Sequence, residues 1–246
     1  MGYPESLQKL ADYLKNARRA IALTGAGIST ESGIPDFRSP GGLWSDPGLM
    51  ETLSRRTLAR NPALFYRQGF SLFFPVLEAK PNPAHEVLAW LEQQGYITGV
   101  VTQNIDGLHQ KAGSRRVFEV HGHMRSGTCM ECTEVYPMEY IRAAVEQERP
   151  PSCECGGYIR PDVTLFGDPM PHQFWQSVEE AKKCDFMLVV GSSLEVSPAN
   201  TLPQYVDRVA IVNLGRTSYD RQADLIINEK ASKVMLELKS LLQKNS

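Results

Sequence analysis

An apolar run from Ala20 to Thr24 leads directly into Gly25-Ala26-Gly27-Ile28-Ser29-Thr30. A Gly-x-Gly at the end of a strand can bring backbone against a phosphate. The first glycine permits the tight turn, and the second removes the side chain that would stand between backbone and pyrophosphate. A helix that follows would turn its N-terminal N–H groups to the anion. The fingerprint is incomplete: Thr30 stands where a third glycine would complete it, and Gly33 and Pro35 oppose a long helix at once. A tight turn without a ligand accounts for the Gly-x-Gly equally well. Asp36-Phe37-Arg38 then sets an acid, an aromatic ring and a guanidinium in a Gly/Pro/Ser-rich loop, a composition suited to a lid over a ligand rather than to a core.

Other strand ends carry polar residues of the same kind. Ile97–Thr102 ends in Gln103-Asn104-Ile105-Asp106-Gly107-Leu108-His109, which reads either as a ligand site or as a self-satisfied loop cap. Val117–Val120 ends in His121-Gly122, and a histidine there is either a packed surface residue or a base. Its titration near neutrality suits it to take a proton from a hydroxyl. Phe186–Val190 ends in Gly191-Ser192-Ser193, placed for phosphate or ribose. Val209–Val212 runs into Asn213-Leu214-Gly215, with Asn213 as a ribose or adenine partner. Carboxyl ends of parallel strands are where such folds bind ligands, so these turns together point to a dinucleotide lying across the edge of the sheet.

Four of the five cysteines cluster as Cys129-x-x-Cys132 and Cys153-x-Cys155. Four thiolates suit a structural, tetrahedral zinc with no position open for chemistry. The second pair is one residue short of the commoner spacing, and free or redox-active thiols are the alternative. Cys184 stands apart and reads as a packed thiol.

The elements that must position these residues follow from periodicity. Helices are expected over residues 5–17, through most of 49–78, over 83–94 and 231–243, and after Pro171. The apolar residues of 49–78 are either core or the wall of a groove, with core favoured. Strand and helix alternate, which implies an α/β fold: a Rossmann-like parallel sheet covered by helices, with a small zinc-binding module inserted. The sheet domain is expected to comprise 1–123 and 159–246 and the module 124–158, with residues from about 40 to 80 adding helices and a cofactor loop. With 246 residues, a formal net charge of −2 and a pI near 6.2, the chain has no electrostatic case for direct nucleic-acid or membrane binding. Its N-terminus lacks a basic segment followed by an apolar one, so the cytoplasm is the expected compartment.

The motifs Gly25-Ala-Gly-Ile-Ser29, Gly33-Ile-Pro-Asp-Phe-Arg38, Thr102-Gln-Asn-Ile-Asp106, His121-Gly122, the four cysteines, Phe166-Gly167, Gly191-Ser-Ser193 and Asn213-Leu-Gly215 occur in the order of the sirtuin family. From about residue 7 to residue 238 the chain resembles NAD-dependent protein deacylases of the bacterial and archaeal kind. The resemblance implies a protein lysine deacetylase that consumes NAD, releases nicotinamide and moves the acetyl group to ADP-ribose. Protein ADP-ribosyl transfer or longer-chain deacylation are the alternatives on the same fold. A dehydrogenase would need an acidic ribose partner some twenty residues past the glycines, which is missing. A purely binding module would leave Gln103–Asp106 and His121 without a purpose.

The resemblance further implies that Gly25, Ala26, Gly27, Ser29 and Thr30 line the pyrophosphate turn, with Asp36, Phe37 and Arg38 in the loop over the cofactor. Asn104, Ile105 and Asp106 match the nicotinamide pocket, Asn104 also acting in catalysis, and Gln103 matches the ribose. His121 matches the general base. Gly191, Ser192, Ser193, Asn213, Leu214 and Gly215 match the adenosine half, with Lys230 and Ala231 near the adenine. Thr164-Leu165-Phe166-Gly167 and Glu195-Val196 match the segments that pair with an acetyl-lysine peptide as an added strand. Three departures stand out. Cys153-x-Cys155 is short, Asp168 replaces a commoner Glu, and Gly69 occupies the place of the Arg that, three residues past a Tyr, marks desuccinylating relatives. The last implies a preference for acetyl over succinyl lysine.

Overall fold

The computed structural model describes residues 2–35 and 47–244. Asp36, Phe37 and Arg38 lie outside the described residues.

Helix α1 (Tyr3–Asn16) buries a stripe of Leu7, Leu10, Ala11 and Leu14 and leads into β1 (Ala20–Thr24), every residue of which is buried. A short 3-10 helix, Ala26–Ser32, follows where the sequence suggests only a loop. Next come α2 (Pro47–Thr52), α3 (Arg55–Arg60) and α4 (Pro62–Leu64), extended by a π turn over Phe65–Gly69 and a 3-10 stretch over Phe70–Glu78. Helix α5 (Pro83–Gln93) precedes β2 (Val100–Thr102), α6 (Leu108–Lys111) and β3 (Val117–Glu119). The excursion that follows comprises β4 (Gly122–Cys129), β5 (Val135–Pro137), α7 (Met138–Glu146) and β6 (Ile159–Val163). The chain then returns through α8 (His172–Ala181), β7 (Phe186–Val190), a 3-10 stretch over Ala199–Tyr205, β8 (Arg208–Val212), β9 (Leu225–Ile227) and α9 (Ala231–Lys244).

Six strands form one sheet in the order β3-β2-β1-β7-β8-β9, and every pair is parallel. With β4 to β6 set aside, that is the 3-2-1-4-5-6 order of a doubly wound dinucleotide-binding fold. Alternate residues divide between the faces because strand side chains alternate. Ala20, Ala22, Phe186, Leu188, Ala210 and Val212 join α1, α5 and α9 in one core. Ile21, Leu23, Met187, Val189, Val209 and Ile211 join α8 and the Ala199–Tyr205 stretch in the other. Covering both faces is what lets the central strands be apolar throughout.

At the amino end of the sheet, buried Glu180 of α8 takes Arg116, just before β3, through two hydrogen bonds of 2.8 and 2.7 Å. It also pairs with Arg19, just before β1. This pins α8 at the end opposite the polar turns and leaves the carboxyl ends of the strands for a ligand.

The small sheet is antiparallel, in the order β5-β4-β6. Although β6 follows the cysteine region, where the sequence suggests a return to the main sheet, it pairs with β4: Cys129 stands opposite Ile159 and Gly122 opposite Val163. A third core joins this sheet to the helices of 49–78 through Leu53, Phe65, Tyr66, Phe70, Phe73, Met124, Ile141 and Ile159.

Candidate active site

The carboxyl ends of β1 and β7 meet where the strand order reverses, the place at which open α/β sheets bind ligands. Their turns interlock. The Gly27 N–H donates to the Gly191 carbonyl at 2.8 Å. Gly191 has φ +63°, and a Cβ on it would lie 2.1 Å from the Ile28 nitrogen. No other residue fits there without backbone movement. The glycines therefore answer first to the contact between two turns, a constraint that Gly-x-Gly alone does not reveal.

Above these turns opens a cavity of about 970 Å³, at the upper end of the size range of small-molecule sites. Gly25, Ala26, Gly27 and Thr30 line it from the β1 turn, and Gln103, Asn104, Ile105 and His121 from the ends of β2 and β3. Gly191, Ser192, Ser193, Asn213, Leu214 and Gly215 line it from β7 and β8, and Lys230 and Ala231 from beyond β9. Thr164–Gly167 and Glu195-Val196 line it as well. A cavity of this volume, with small residues at its turns and polar groups spaced over five strand ends, suits a dinucleotide. Met50, Leu53, Phe70 and Phe73 also line it. The 49–78 region is thus both core and groove wall.

Ser29 and Asp106 are placed behind Asn104 rather than on the wall. Ser29 Oγ donates to Asp106 Oδ2 at 2.8 Å and accepts from Asn104 Nδ2 at 3.0 Å. The same Asn104 nitrogen donates to the Gly25 carbonyl at 3.1 Å. With both its donors directed inward, Asn104 carries an Oδ1 that accepts nothing among the described residues. Burial raises the Asp106 pKa, opposed by the Leu108 N–H, Ser29 and Lys111.

Two histidines complete this network: His109, the last residue of the polar run after β2, and His85, which did not stand out in the sequence. His85 sits in the first turn of α5, where its Nδ1 accepts from the Asn82 N–H at 3.3 Å. The neutral ring therefore carries its proton on Nε2, which faces Ser29 Oγ at 3.4 Å. Thr24 Oγ1 donates to Thr102 Oγ1, so it accepts from His109 Nε2, both at 2.9 Å. The two imidazoles meet edge to face at 4.9 Å.

Burial lowers the His85 pKa to about 4 from an ordinary 6.5. The unfolded chain takes up this proton first, so stability falls as pH drops through that window. That difference corresponds to about 3 kcal/mol at pH values below both pKa values. His109, held well below its ordinary value by burial and by His85, acts in the same direction. The urea midpoint should therefore fall between pH 6.5 and pH 4, and His85→Gln should flatten the fall. A midpoint constant over that range would show that His85 is not buried neutral.

His121 has a tautomer fixed by its partner. Nδ1 lies 2.9 Å from the Gln103 carbonyl, which can only accept, so the proton is on Nδ1. Nε2 is then the basic nitrogen of a half-buried ring on the cavity wall, and it makes no hydrogen bond among the described residues. Burial lowers the His121 pKa, and the Gln103 carbonyl raises it in part. Gln103 itself donates from Nε2 to Ser192 Oγ at 2.9 Å, bridging β2 to β7.

Away from the cavity, the sulfurs of Cys129, Cys132, Cys153 and Cys155 all lie within 4.8 Å of one another. Cys129 to Cys155 is 3.6 Å and Cys132 to Cys153 is 3.4 Å. Tetrahedral zinc with Zn–S bonds near 2.3 Å needs sulfurs about 3.8 Å apart, so the short Cys-x-Cys spacing still fits the metal. The Tyr136 hydroxyl donates to Cys153 Sγ at 3.1 Å and, with the Cys155 N–H, draws the Cys153 pKa down to about 6. Although the Glu134 N–H favours the Cys132 thiolate, the other three sulfurs push its pKa up to about 12. Four thiols this close cannot all ionise without a cation among them.

A doubly wound sheet with a ligand cavity at its switch point and a separate four-thiol module defines a dinucleotide-binding α/β protein with an inserted metal module. Residues 25–198 match the Sir2 family. Over 239 residues, 96% of either chain, the sequence is 49% identical to NAD-dependent protein deacetylase 2 of Caldanaerobacter subterraneus subsp. tengcongensis. It is 44% identical over 244 residues to the NAD-dependent protein deacetylase of Sulfolobus acidocaldarius, covering 97% of this chain and 96% of that one. A solved Sir2 structure with a deacetylated p53 peptide and 3′-O-acetyl ADP ribose superposes with a TM-score of 0.92 at 37% identity, covering 96% of this chain and 98% of that one. The chain belongs to the Sir2 family.

Proposed function

We propose that this protein is an NAD-dependent protein lysine deacetylase that acts on acetyl-lysine proteins or peptides. It consumes one NAD per acetyl group, releases nicotinamide and forms O-acetyl-ADP-ribose. The observation that carries the reading is His121: a neutral imidazole with its basic nitrogen at the wall of a dinucleotide-sized cavity, in a chain of the Sir2 family. The bound peptide and acetylated ADP-ribose of the Sir2 structure cited above correspond to the two halves of that product set.

NAD supplies a ribose carbon that becomes electrophilic as nicotinamide departs, and ribose hydroxyls to receive the acetyl group. The chain supplies the rest. His121 Nε2 takes a proton from a ribose hydroxyl, while the Gln103 carbonyl holds the ring and stabilises the imidazolium that forms. Asn104 presents Oδ1 to the cavity, and Asp106, which the resemblance assigns to the nicotinamide carboxamide, stands behind it, where it holds Ser29 and through Ser29 orients Asn104. The β1 turn from Gly25 to Thr30 cradles the pyrophosphate, Gly191 to Ser193 and Asn213 to Gly215 hold the adenosine half, and Lys230 and Ala231 flank the adenine. Ile105, Leu53, Phe70 and Phe73 exclude water beside the reacting carbon. The parts given to Asp36, Phe37 and Arg38 rest on the sequence resemblance. Thr164–Gly167 and Glu195-Val196 pair with the substrate backbone.

The four thiols hold one structural zinc in a module inserted between residues 1–123 and 159–246, with β6 reaching into it. Among the described residues no helix is long and apolar enough to cross a membrane. Cysteines gathered for a metal rather than paired in disulfides suit a reducing compartment, which supports a cytoplasmic protein.

Incubation with an acetyl-lysine peptide, with and without NAD, tests the reading. Loss of the acetyl mass only with NAD, together with nicotinamide and acetylated ADP-ribose, is the expected result. Nicotinamide with an ADP-ribosylated protein and an untouched peptide would replace it by ADP-ribosyl transfer.

Acyl choice follows from the apolar wall. Tyr66 is buried and donates its hydroxyl to the Ile159 carbonyl at 2.5 Å, away from the cavity. Gly69 abuts Leu53: a Cβ would lie 2.9 Å from Leu53 Cδ2, so any larger residue there would displace the Leu53 side chain, and the glycine itself offers no cation. Among the described residues, the Lys and Arg side chains on the cavity wall, Arg216 and Lys230, stand on the β8 and β9 side. A succinyl carboxylate against Leu53 and Phe73 would be unpaired at a cost of several kcal/mol. That predicts kcat/KM for acetyl over succinyl peptide of about a hundredfold or more, and comparable values on matched peptides would refute it.

A further inference from the structure

We infer that Asp168 is a positioning residue for the acetyl-lysine peptide, because it closes the turn that presents Thr164–Gly167 to the cavity. The inference rests on the reading of that segment as the edge to which the peptide backbone docks.

The segment begins where β6 ends, and the Thr164 N–H donates to the His121 carbonyl at 2.8 Å, so the peptide edge and the base share one backbone link. Leu165 to Asp168 then forms a turn. The Asp168 N–H donates to the Leu165 carbonyl at 3.0 Å, and Gly167 at the third position has φ +90°. A hydrogen bond from the fourth residue to the first, with positive φ at the third, is the signature of a type II turn, which glycine alone adopts freely at that place. Phe166 sits at the tip, 41% exposed and on the cavity rim. Its carbonyl accepts from the Arg55 N–H at 3.0 Å, tying the tip to the start of α3.

The Asp168 carboxylate holds this turn from the other side. Its Oδ2 accepts from the Leu165 N–H at 2.9 Å and from Arg160 Nη2 at 2.6 Å, while Oδ1 accepts from Arg160 Nη1 at 3.3 Å. Arg160 Nη2 also donates to the Val163 carbonyl at 3.1 Å, and Arg55 Nε stands 3.9 Å from Oδ1. The side chain is only 7% exposed, so water cannot replace these donors. One carboxylate thus fixes β6, the turn and the start of α3 relative to one another. None of these contacts reaches the β7, β8 and β9 turns that line the adenosine end of the cavity.

Asparagine is nearly isosteric but offers one acceptor oxygen and turns an NH₂ group towards the Arg160 or Leu165 donors. In Asp168→Asn, KM for an acetyl-lysine peptide should rise five- to tenfold, with kcat at saturating peptide and KM for NAD each within twofold of wild type. Arg160→Lys, which keeps the charge but loses the two-pronged geometry, should shift peptide KM in the same direction. Asp168→Glu, which keeps both oxygens, should recover most of the loss. Peptides N-methylated beside the acetyl-lysine, assayed with the wild-type protein, test the docking reading itself. If N-methylation leaves KM unchanged, that reading falls and takes the inference with it. If N-methylation weakens binding while both the Asp168→Asn and Arg160→Lys proteins keep wild-type peptide KM, the inference alone falls. Equal rises in the KM of peptide and of NAD would also overturn it, since they would mark a general loosening of the fold.

Discussion

His121→Ala should lower acetyl transfer by a factor of about 10²–10⁴, the usual range for a lost general base, while the protein stays folded. The ring is half-buried, and its polar contact with the described residues is the Nδ1 bond to the Gln103 carbonyl at 2.9 Å. Removing it therefore costs little packing but takes away the one imidazole that lines the cavity among the described residues. His85 and His109 cannot replace it, because both point their Nε2 atoms into the hydroxyls of Ser29 and Thr24.

The pH dependence carries the same argument with a definite sign. Burial lowers the pKa of His121 from 6.5, so the neutral, active form persists below that pH and is lost only as pH falls through the depressed value. The acid limb of kcat/KM should therefore lie below 6.5 in the wild type and vanish, with the activity, in the alanine protein. Initial rates across pH with a fixed acetyl peptide, beside circular dichroism of both proteins, measure this. Unchanged turnover in His121→Ala would remove the residue from the mechanism.

Stripping the metal, or replacing Cys129 by alanine, should unfold the small sheet. Cys129 is 1% exposed, and its sulfur lies within 4.8 Å of the other three. Structural zinc in small modules contributes about 10–16 kcal/mol of apparent folding free energy, as much as a whole domain's net stability. The three-stranded sheet has little else of its own: β5 has only three residues, two of them exposed. Because Met124, Ile141 and Ile159 share a core with Phe65, Tyr66 and Phe70, the loss would spread to the apolar wall of the cavity. A stoichiometric zinc signal by elemental analysis, lost in Cys129→Ala together with solubility and peptide turnover, is the expected outcome. A soluble, zinc-free and fully active Cys129→Ala protein would show that the thiols are not structural.

The sequence by itself determined the doubly wound sheet, the strand ends that line the cavity and the four thiols. All of these are local signals. A strand buried on both faces must be apolar throughout, so polar and small residues right after such a run mark its exposed carboxyl end, as at Gly25, Gln103, Gly191 and Asn213. Cysteines in closely spaced pairs likewise advertise themselves without reference to the fold.

Only the tertiary structure decided which residues meet across long separations. Ser29 and His85 are 56 positions apart, and nothing in the first turn of a helix announces that its cap will orient a serine beside the site. The Gly191 turn is occupied by the Gly27 turn 164 residues away, and no sequence period records a contact between two backbones. Strand β6 looks like a return to the main sheet from its place after the cysteines, but its burial alternates where the central strands are buried throughout, and its pairing is with β4. The short Cys153-x-Cys155 spacing tells of two ligands but not whether four sulfurs converge; the pairing of Cys129 with Ile159 and the turn from Cys153 to Gly156 bring them together. Periodicity reports burial along one element, whereas convergence is set by how elements pack, and packing is a property of pairs that the linear order does not hold.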